Sequence, residues 1–179
     1  TILAQQEVKD GKIDLRTDQF KIPGRVWVDI DGKATVEAIL DTKDMIWIKG
    51  KIKFPDQIEA DGSGLMDEYK EIKKMYKERC GEDIAKIDKR IEKISKKEKL
   101  SKDDEVMLGI HQLQKQRFLK KQANWTRDLI VANPRKEISL FLIKDQLVDS
   151  LDLQKKLFNK MTVENKESNI YKVLESKLK

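Results

Sequence analysis

The amino-acid sequence predicts an α+β fold, an N-terminal antiparallel β region of four or five short strands followed by an all-α bundle of about five to six helices. Three observations predict it. Asp-Gly turn signals punctuate the first sixty residues. After Asp61-Gly62-Ser63-Gly64 the apolar period changes from two residues to about 3.6. Strands come first and helices after, rather than alternating, which favours α+β over a parallel α/β sheet. The expected organisation is a β subdomain over residues 1–61 and a helical subdomain over 62–179.

In the β region, Asp10-Gly11 and Asp31-Gly32 are two-residue turns, because Gly accepts the positive φ of a type I′ turn. Ile13 and Leu15 follow the first turn. Arg25-Val26-Trp27-Val28-Asp29-Ile30 precedes the second, and Ala34 to Leu40 follows it with β-branched Thr35 and Val36. Met45-Ile46-Trp47-Ile48 makes a further strand after Asp41-Thr42-Lys43-Asp44, with Gly50 placed to bend it. Lys51, Lys53 and Pro55 around Phe54 mark a sheet edge or exit.

Beyond Gly64, the residues Leu65, Tyr69, Ile72, Tyr76 and Cys80 step by 4, 3, 4 and 4 and share one helical stripe. Gly81 is expected to terminate that helix. Ile84, Ile87, Ile91 and Ile94 form an a/d seam two heptads long, too short to stand alone. Ser101-Lys102-Asp103-Asp104 is an N-cap start for a long helix through Val106, Ile110, Leu113, Phe118, Trp125 and Leu129 to Asn133-Pro134. Shorter helices are expected from Ile138 to about Leu147 with Phe141 and Leu142 in the core, from Leu151 to Met161, and from about Val163 to Leu178.

Composition narrows the function classes. No apolar run approaches the ~18 residues of a membrane span, and Thr1-Ile2-Leu3-Ala4 does not read as a signal peptide. One cysteine, Cys80, and one histidine, His111, exclude an intramolecular disulfide and all but exclude a Cys/His zinc site. Residues 1–61 carry 10 Lys/Arg against 12 Asp/Glu, while residues 62–179 carry 28 against 20. That asymmetry raises a nucleic-acid or anionic-surface reading. Of the 38 basic residues 31 are Lys with carboxylates threaded among them, so a mixed solvated surface is the expectation, and specific nucleic-acid binding is not expected. Between Tyr76 and Phe118 no aromatic ring interleaves the charges, which a single-strand binder would require.

No residue is assigned to catalysis, cofactor binding or metal binding. Cys80 is the one soft nucleophile, but it has no second Cys two residues away and lies on an apolar stripe, so a buried, redox-inert thiol is expected. His111 has Gln114 and Lys115 where a helical metal partner would stand, and is expected beside the core positions Ile110 and Leu113. Asp103-Asp104 and Glu82-Asp83 sit at helix starts, where they complement the macrodipole. Asp61-Gly62-Ser63-Gly64 lacks the Gly-Lys-Ser/Thr ending of a phosphate loop. As a calcium loop it fails too, with Ile72 where the twelfth-position Glu belongs. Trp27 and Trp47 are expected in the core, with an exposed interface patch as the alternative.

Three stretches together resemble a known family. They are Val36-Glu37-Ala38-Ile39-Leu40-Asp41 with Ile46-Trp47-Ile48-Lys49-Gly50 and Ile58-Glu59-Ala60-Asp61-Gly62-Ser63-Gly64-Leu65-Met66-Asp67-Glu68-Tyr69, then Asp128 through Asn133-Pro134 to Ser139-Leu140, and upstream Val8-Lys9-Asp10-Gly11-Lys12-Ile13. Taken in chain order, they resemble the uncharacterised N-terminal domain that precedes the thioredoxin-like domain in Bacteroidetes cell-envelope thiol-disulfide oxidoreductases of the AhpC/TSA, ResA/TlpA type. The resemblance implies an opening strand before Thr1, a thioredoxin-like domain with its Cys-x-x-Cys after Lys179, and a place on the periplasmic side of the cell envelope through a signal or lipoprotein anchor. It implies no catalytic residue here. The function expected is that of a non-catalytic accessory domain docking a protein partner, a substrate or a second copy of itself. The alternatives are a stand-alone self-associating protein and a weak binder of nucleic acid or anionic surfaces.

Overall fold

A computed structural model of the chain describes residues 1–8, 13–41 and 46–178. Among the described residues four strands precede the helices, and more than half of the chain is helical, so the fold is α+β. The Asp10-Gly11 turn, the Thr42-Lys43-Asp44 connection and Met45 lie outside the described residues. The chain divides into two compact units, Thr1–Asp67 with Val163–Lys179, and Glu68–Thr162. The change of period at Asp61 is thus a boundary in local structure, whereas packing draws the C-terminal segment back to the strands.

In the first unit, β1 (Gly24–Ile30) and β2 (Ala34–Leu40) form an antiparallel hairpin, and β3 (Trp47–Lys49) pairs with β4 (Glu59–Asp61) in a second one. Asp31 and Gly32 have φ of 55° and 64°, as the type I′ turn requires. The register sets Val26 opposite Ala38, Val28 opposite Val36 and Ile48 opposite Ala60. These residues share one face of their strands, and Val36, Ala38 and Ala60 form a buried cluster with Val26, Ile30, Ile46, Ile48 and Ile58 against it. Alternation then turns Trp27 and Trp47 outward, 63% and 55% exposed, in separate sheets. The expected tryptophan core is corrected for that reason. Ile13 and Leu15, expected in a strand, are exposed and outside any strand pairing. A 3-10 turn over Pro55–Gln57 joins the second hairpin's strands.

α6 (Asn169–Leu178) belongs to this unit. It packs on β1, and its Ile170, Leu174 and Leu178 are buried at steps of four. The helix was expected from about Val163. It begins at Asn169 because Ser168 caps it, its hydroxyl accepting from Tyr171 N at 3.3 Å. Two further N–H groups at its start, of Asn169 and Ile170, donate to the carbonyls of Lys21 and Pro23.

α1 (Gly64–Tyr76) opens in the first unit, where Ser63 Oγ accepts from Met66 N and Asp41 Oδ2 from Leu65 N, filling two orphan donors of the first turn. The helix does not stop at Gly81. It passes through a π turn over Lys77–Gly81 into α2 (Glu82–Ser95), and Gly81 sits at an ordinary helical φ of −65°. The reason is in the spacing. Ile72, Tyr76, Cys80 and Ile84 step by four three times running, and each step overshoots a 3.6-residue turn. Three overshoots exceed one residue, which a π turn absorbs, so both halves of the stripe keep one direction.

The second unit is built on α4 (Ile138–Gln146), whose residues Ile138 through Ile143 are buried in unbroken succession. A helix apolar on every side has to be surrounded. α3 (Lys102–Ala132) and α5 (Leu151–Phe158) pack on it, and from α1 Tyr69 sets its ring 6.4 Å from Phe141 and donates to Asp145 Oδ2 at 2.7 Å. Each of these apolar side chains contributes about 1.5–3 kcal/mol by leaving water. Polar groups taken inside are satisfied. The fully buried Gln154 donates to Ile143 O, one of the carbonyls the end of α4 leaves without an intrahelical partner. α5 ends at Phe158, short of the expected Met161, in successive turns, and Thr162 N then donates to Pro134 O.

Candidate interaction surface

α3 starts and stops where its sequence says. Ser101 and Asp104 form a reciprocal capping box, and Asn133 caps the end before Pro134. Lys97, then the backbone N–H and hydroxyl of Ser101, hydrogen-bond the Asp104 carboxyl and hold its pKa down at about 2.

The helix runs antiparallel to α1 and α2. Lys97 Nζ meets Asp104 Oδ1 at 2.6 Å, Lys115 Nζ meets Asp88 Oδ1 at 2.7 Å, and the Tyr76 hydroxyl bonds that of Thr126. Thr126 in turn donates to Gln122 O, so the Tyr76 hydroxyl is the donor in that short chain, and burial pushes its pKa up. Trp125 is held edge-on to Tyr76, with the Arg79 guanidinium 4.7 Å from its ring centre.

The face α3 turns to α2 is not its apolar one. Asp104, Leu108, His111, Lys115, Phe118 and Gln122 step by 4, 3, 4, 3 and 4, a heptad stripe, and all are wholly or partly buried. Cys80, Ile84, Ile87, Ile91 and Ile94 form the opposing stripe. His111 is 6% exposed, with Nδ1 3.2 Å from Gln114 Oε1.

Val106, Ile110 and Leu113 lie on the other side of the helix. From Val106 to Lys115 is nine residues, two and a half turns, which points the two stripes in opposite directions. Val106 is 61% and Leu113 58% exposed, with Ile110 and neighbouring Met107 also exposed. Ile110 and Leu113, expected in the core beside His111, are corrected: the histidine is inside and its apolar neighbours are outside. Gly109 borders this stripe, and a Cβ placed on it would meet nothing within 4 Å. Mid-helix Gly costs about 1 kcal/mol relative to Ala, and among the described residues no atom crowds the place of a Cβ at Gly109 to require it.

Between α2 and α3 a groove of about 440 Å³ is lined by Asp83, Lys86, Ile87, Arg90, Gln114, Arg117, Phe118 and Lys121. Ile87 and Phe118 supply apolar lining beneath four cations. Lys86 lies 3.9 Å from Asp83, and among the described residues Arg90, Arg117 and Lys121 have no ion-pair partner.

The residues singled out in the sequence are scattered. Cys80 is 4% exposed on the stripe toward α3. Asp103-Asp104 and Glu82-Asp83 stand in the first turns of α3 and α2. Ser63 of the Asp61-Gly62-Ser63-Gly64 tract is spent on capping α1. Among the described residues no group of three or more His, Cys, Asp or Glu is placed to share a metal ion, and no helix is long and apolar enough to cross a membrane. The outward α3 stripe was missed in the sequence as a surface, although its heptad steps are as plain as those of the inward one.

The chain matches no family model, no curated protein and no solved structure.

Proposed function

We propose that this chain is a non-catalytic accessory module of a cell-envelope, thioredoxin-like protein, working on the periplasmic side by docking a protein partner, a substrate or a second subunit. The observation that supports it best is the apolar stripe of Val106, Ile110 and Leu113, turned away from the chain's own core on a long, well-capped helix. Natural sequences keep local pattern and burial in agreement, and breaks in that agreement mark functional surfaces. The single thiol is consistent with this role. Disulfide reduction needs an attacking thiolate and a second thiol to resolve the mixed disulfide, and Cys80 is alone and buried. The family resemblance supplies the envelope location and the thioredoxin-like neighbour.

Two measurements test it. The coding sequence beyond Lys179 is expected to contain a Cys-x-x-Cys within the next hundred-odd residues, and a stop codon there would favour a stand-alone self-associating protein. The isolated chain is expected to leave insulin disulfides intact. Insulin reduction that disappears in Cys80→Ser would overturn the reading.

The cation-lined groove between α2 and α3 favours a second reading, a weak binder of nucleic acid or anionic surfaces. Without stacking rings, that attraction should be salt-screened and indifferent to sequence. Tight binding in a gel shift at physiological salt would promote it over the accessory role.

A further inference from the structure

We infer that the outward stripe of α3 is a self-complementary docking seam, and that its occupant is the same stripe of a second copy of this chain, lying antiparallel. The inference rests on reading this face as an interaction surface and names its partner. Asp103, Val106, Ile110, Leu113, Arg117 and Lys120 step by 3, 4, 3, 4 and 3, a second heptad stripe on a helix whose first is already filled by α2. The middle of the seam is apolar and exposed. Its N-terminal end is an acid and its C-terminal end two bases, and among the described residues Asp103, Arg117 and Lys120 form no ion pair within the chain.

That charge order selects both the occupant and its direction. A two-fold contact sets residue i on residue j and j on i. Centred between Ile110 and Leu113, an antiparallel copy pairs Ile110 with Leu113, Val106 with the aliphatic stem of Arg117, and Asp103 with Lys120, each twice. A parallel copy would instead oppose Asp103 to Asp103 and Lys120 to Lys120. Gly109, beside the seam with open space where a Cβ would stand, leaves backbone bare for close approach. The seam is two heptads long, so association should depend on concentration rather than be obligate.

Sedimentation of the full chain from micromolar to millimolar concentration tests this. The average mass should climb from that of one chain toward that of two. Ile110→Asp should weaken association by about tenfold or more, with circular dichroism and melting temperature showing that the helices persist. Asp103→Lys and Lys120→Asp should each weaken it by roughly two- to fivefold. The two together restore opposite charges across the seam and should return association to near the parent's. Recovery in the double variant supports the antiparallel register, and losses that simply add overturn it. A mass of one chain at every concentration, or a dimer indifferent to Ile110→Asp, overturns the second-copy assignment. Neither result touches the accessory reading, which falls instead on insulin reduction by the chain.

Discussion

The two faces of α3 carry opposite chemistry from the one their burial would suggest. The inward stripe is wholly or partly buried yet contains Asp104, His111, Lys115 and Gln122 beside Leu108 and Phe118, while the outward stripe of Val106, Ile110 and Leu113 is exposed. Burial here is decided by the partner available. α2 brings four isoleucines to its seam, and against that much apolar surface α3 can present long polar side chains whose stems pack and whose ends reach one another or solvent. Lys115 does so, its ammonium meeting Asp88 at the edge of the seam. Among the described residues the outward stripe has no such neighbour, so its apolar side chains stay in water.

The comparison breaks most easily by making one change on each side. Ile87→Ala opens a cavity under the α2 seam, where Ile87 is buried, and should destabilise by about 2–5 kcal/mol. Ile110→Ala, measured by urea unfolding at micromolar concentration, should stay within about 0.5 kcal/mol of the parent. Equal losses at the two positions would erase the distinction between the faces.

Replacing the polar residue on the buried side sharpens it. His111→Leu places an apolar side chain against the isoleucine stripe and frees Gln114 to meet water. It should raise stability by about 1 kcal/mol, since an apolar group of similar size at this buried position gives up only one weak hydrogen bond. A loss of similar size would mean that the His111–Gln114 pair matters more than the packing it displaces.

Gly81→Ala is the next smaller effect. At a helical φ of −65°, with the nearest atoms 3.6 Å from the added Cβ, the alanine should raise the melting temperature through a gain of about 0.5–1 kcal/mol. A left-handed terminating glycine would respond with a loss, so the sign alone decides whether α1 and α2 are continuous.

The smallest effect is a titration. The Asp104 carboxyl, held by Lys97 and Ser101, has a folded-state pKa of about 2 against an ordinary 3.8. Its stabilisation of the α3 cap is therefore full above pH 3.8 and lost as the pH falls through about 2. Carboxyl chemical shifts followed by NMR should show Asp104 titrating below the other carboxylates, and the Ser101→Ala variant should move it upward.

Much of the fold was legible because local chemistry dictated it. The Asp31-Gly32 turn, the Ser101 and Asp104 box and the Asn133-Pro134 stop each rest on backbone groups that have few other ways to be satisfied. What escaped was set by neighbours. Trp27 and Trp47 read as core because they are large, yet a strand buries whichever parity meets the next layer, and here that parity holds Val26, Val28 and Ile48. α3 carries heptad steps on two faces, and nothing local says which one α2 will cover. Gly81 is a different case. The three successive steps of four from Ile72 to Ile84 were present in the sequence and physically sufficient to predict a continuous helix with a widened turn. Ser168 was likewise present as a cap, five residues into the helix expected from about Val163, and its capping hydroxyl is what delays α6 to Asn169. Of the candidate site, the acid-to-base order along α3 was readable throughout, but without the fold it belonged equally to a solvated helix surface.

Thiol reactivity at two positions of α3 tests the account most directly. In a Cys80→Ser background, Val106→Cys and His111→Cys place one thiol on each face. At micromolar concentration the thiol at position 106 should react near the rate of free cysteine and the one at 111 about a hundredfold or more slowly. As protein concentration rises into the range where copies associate, the thiol at 106 should become protected while the one at 111 does not change. Comparable rates at the two positions, or a thiol at 106 that stays fully reactive at every concentration, would contradict the division of α3 into an occupied face and a docking face.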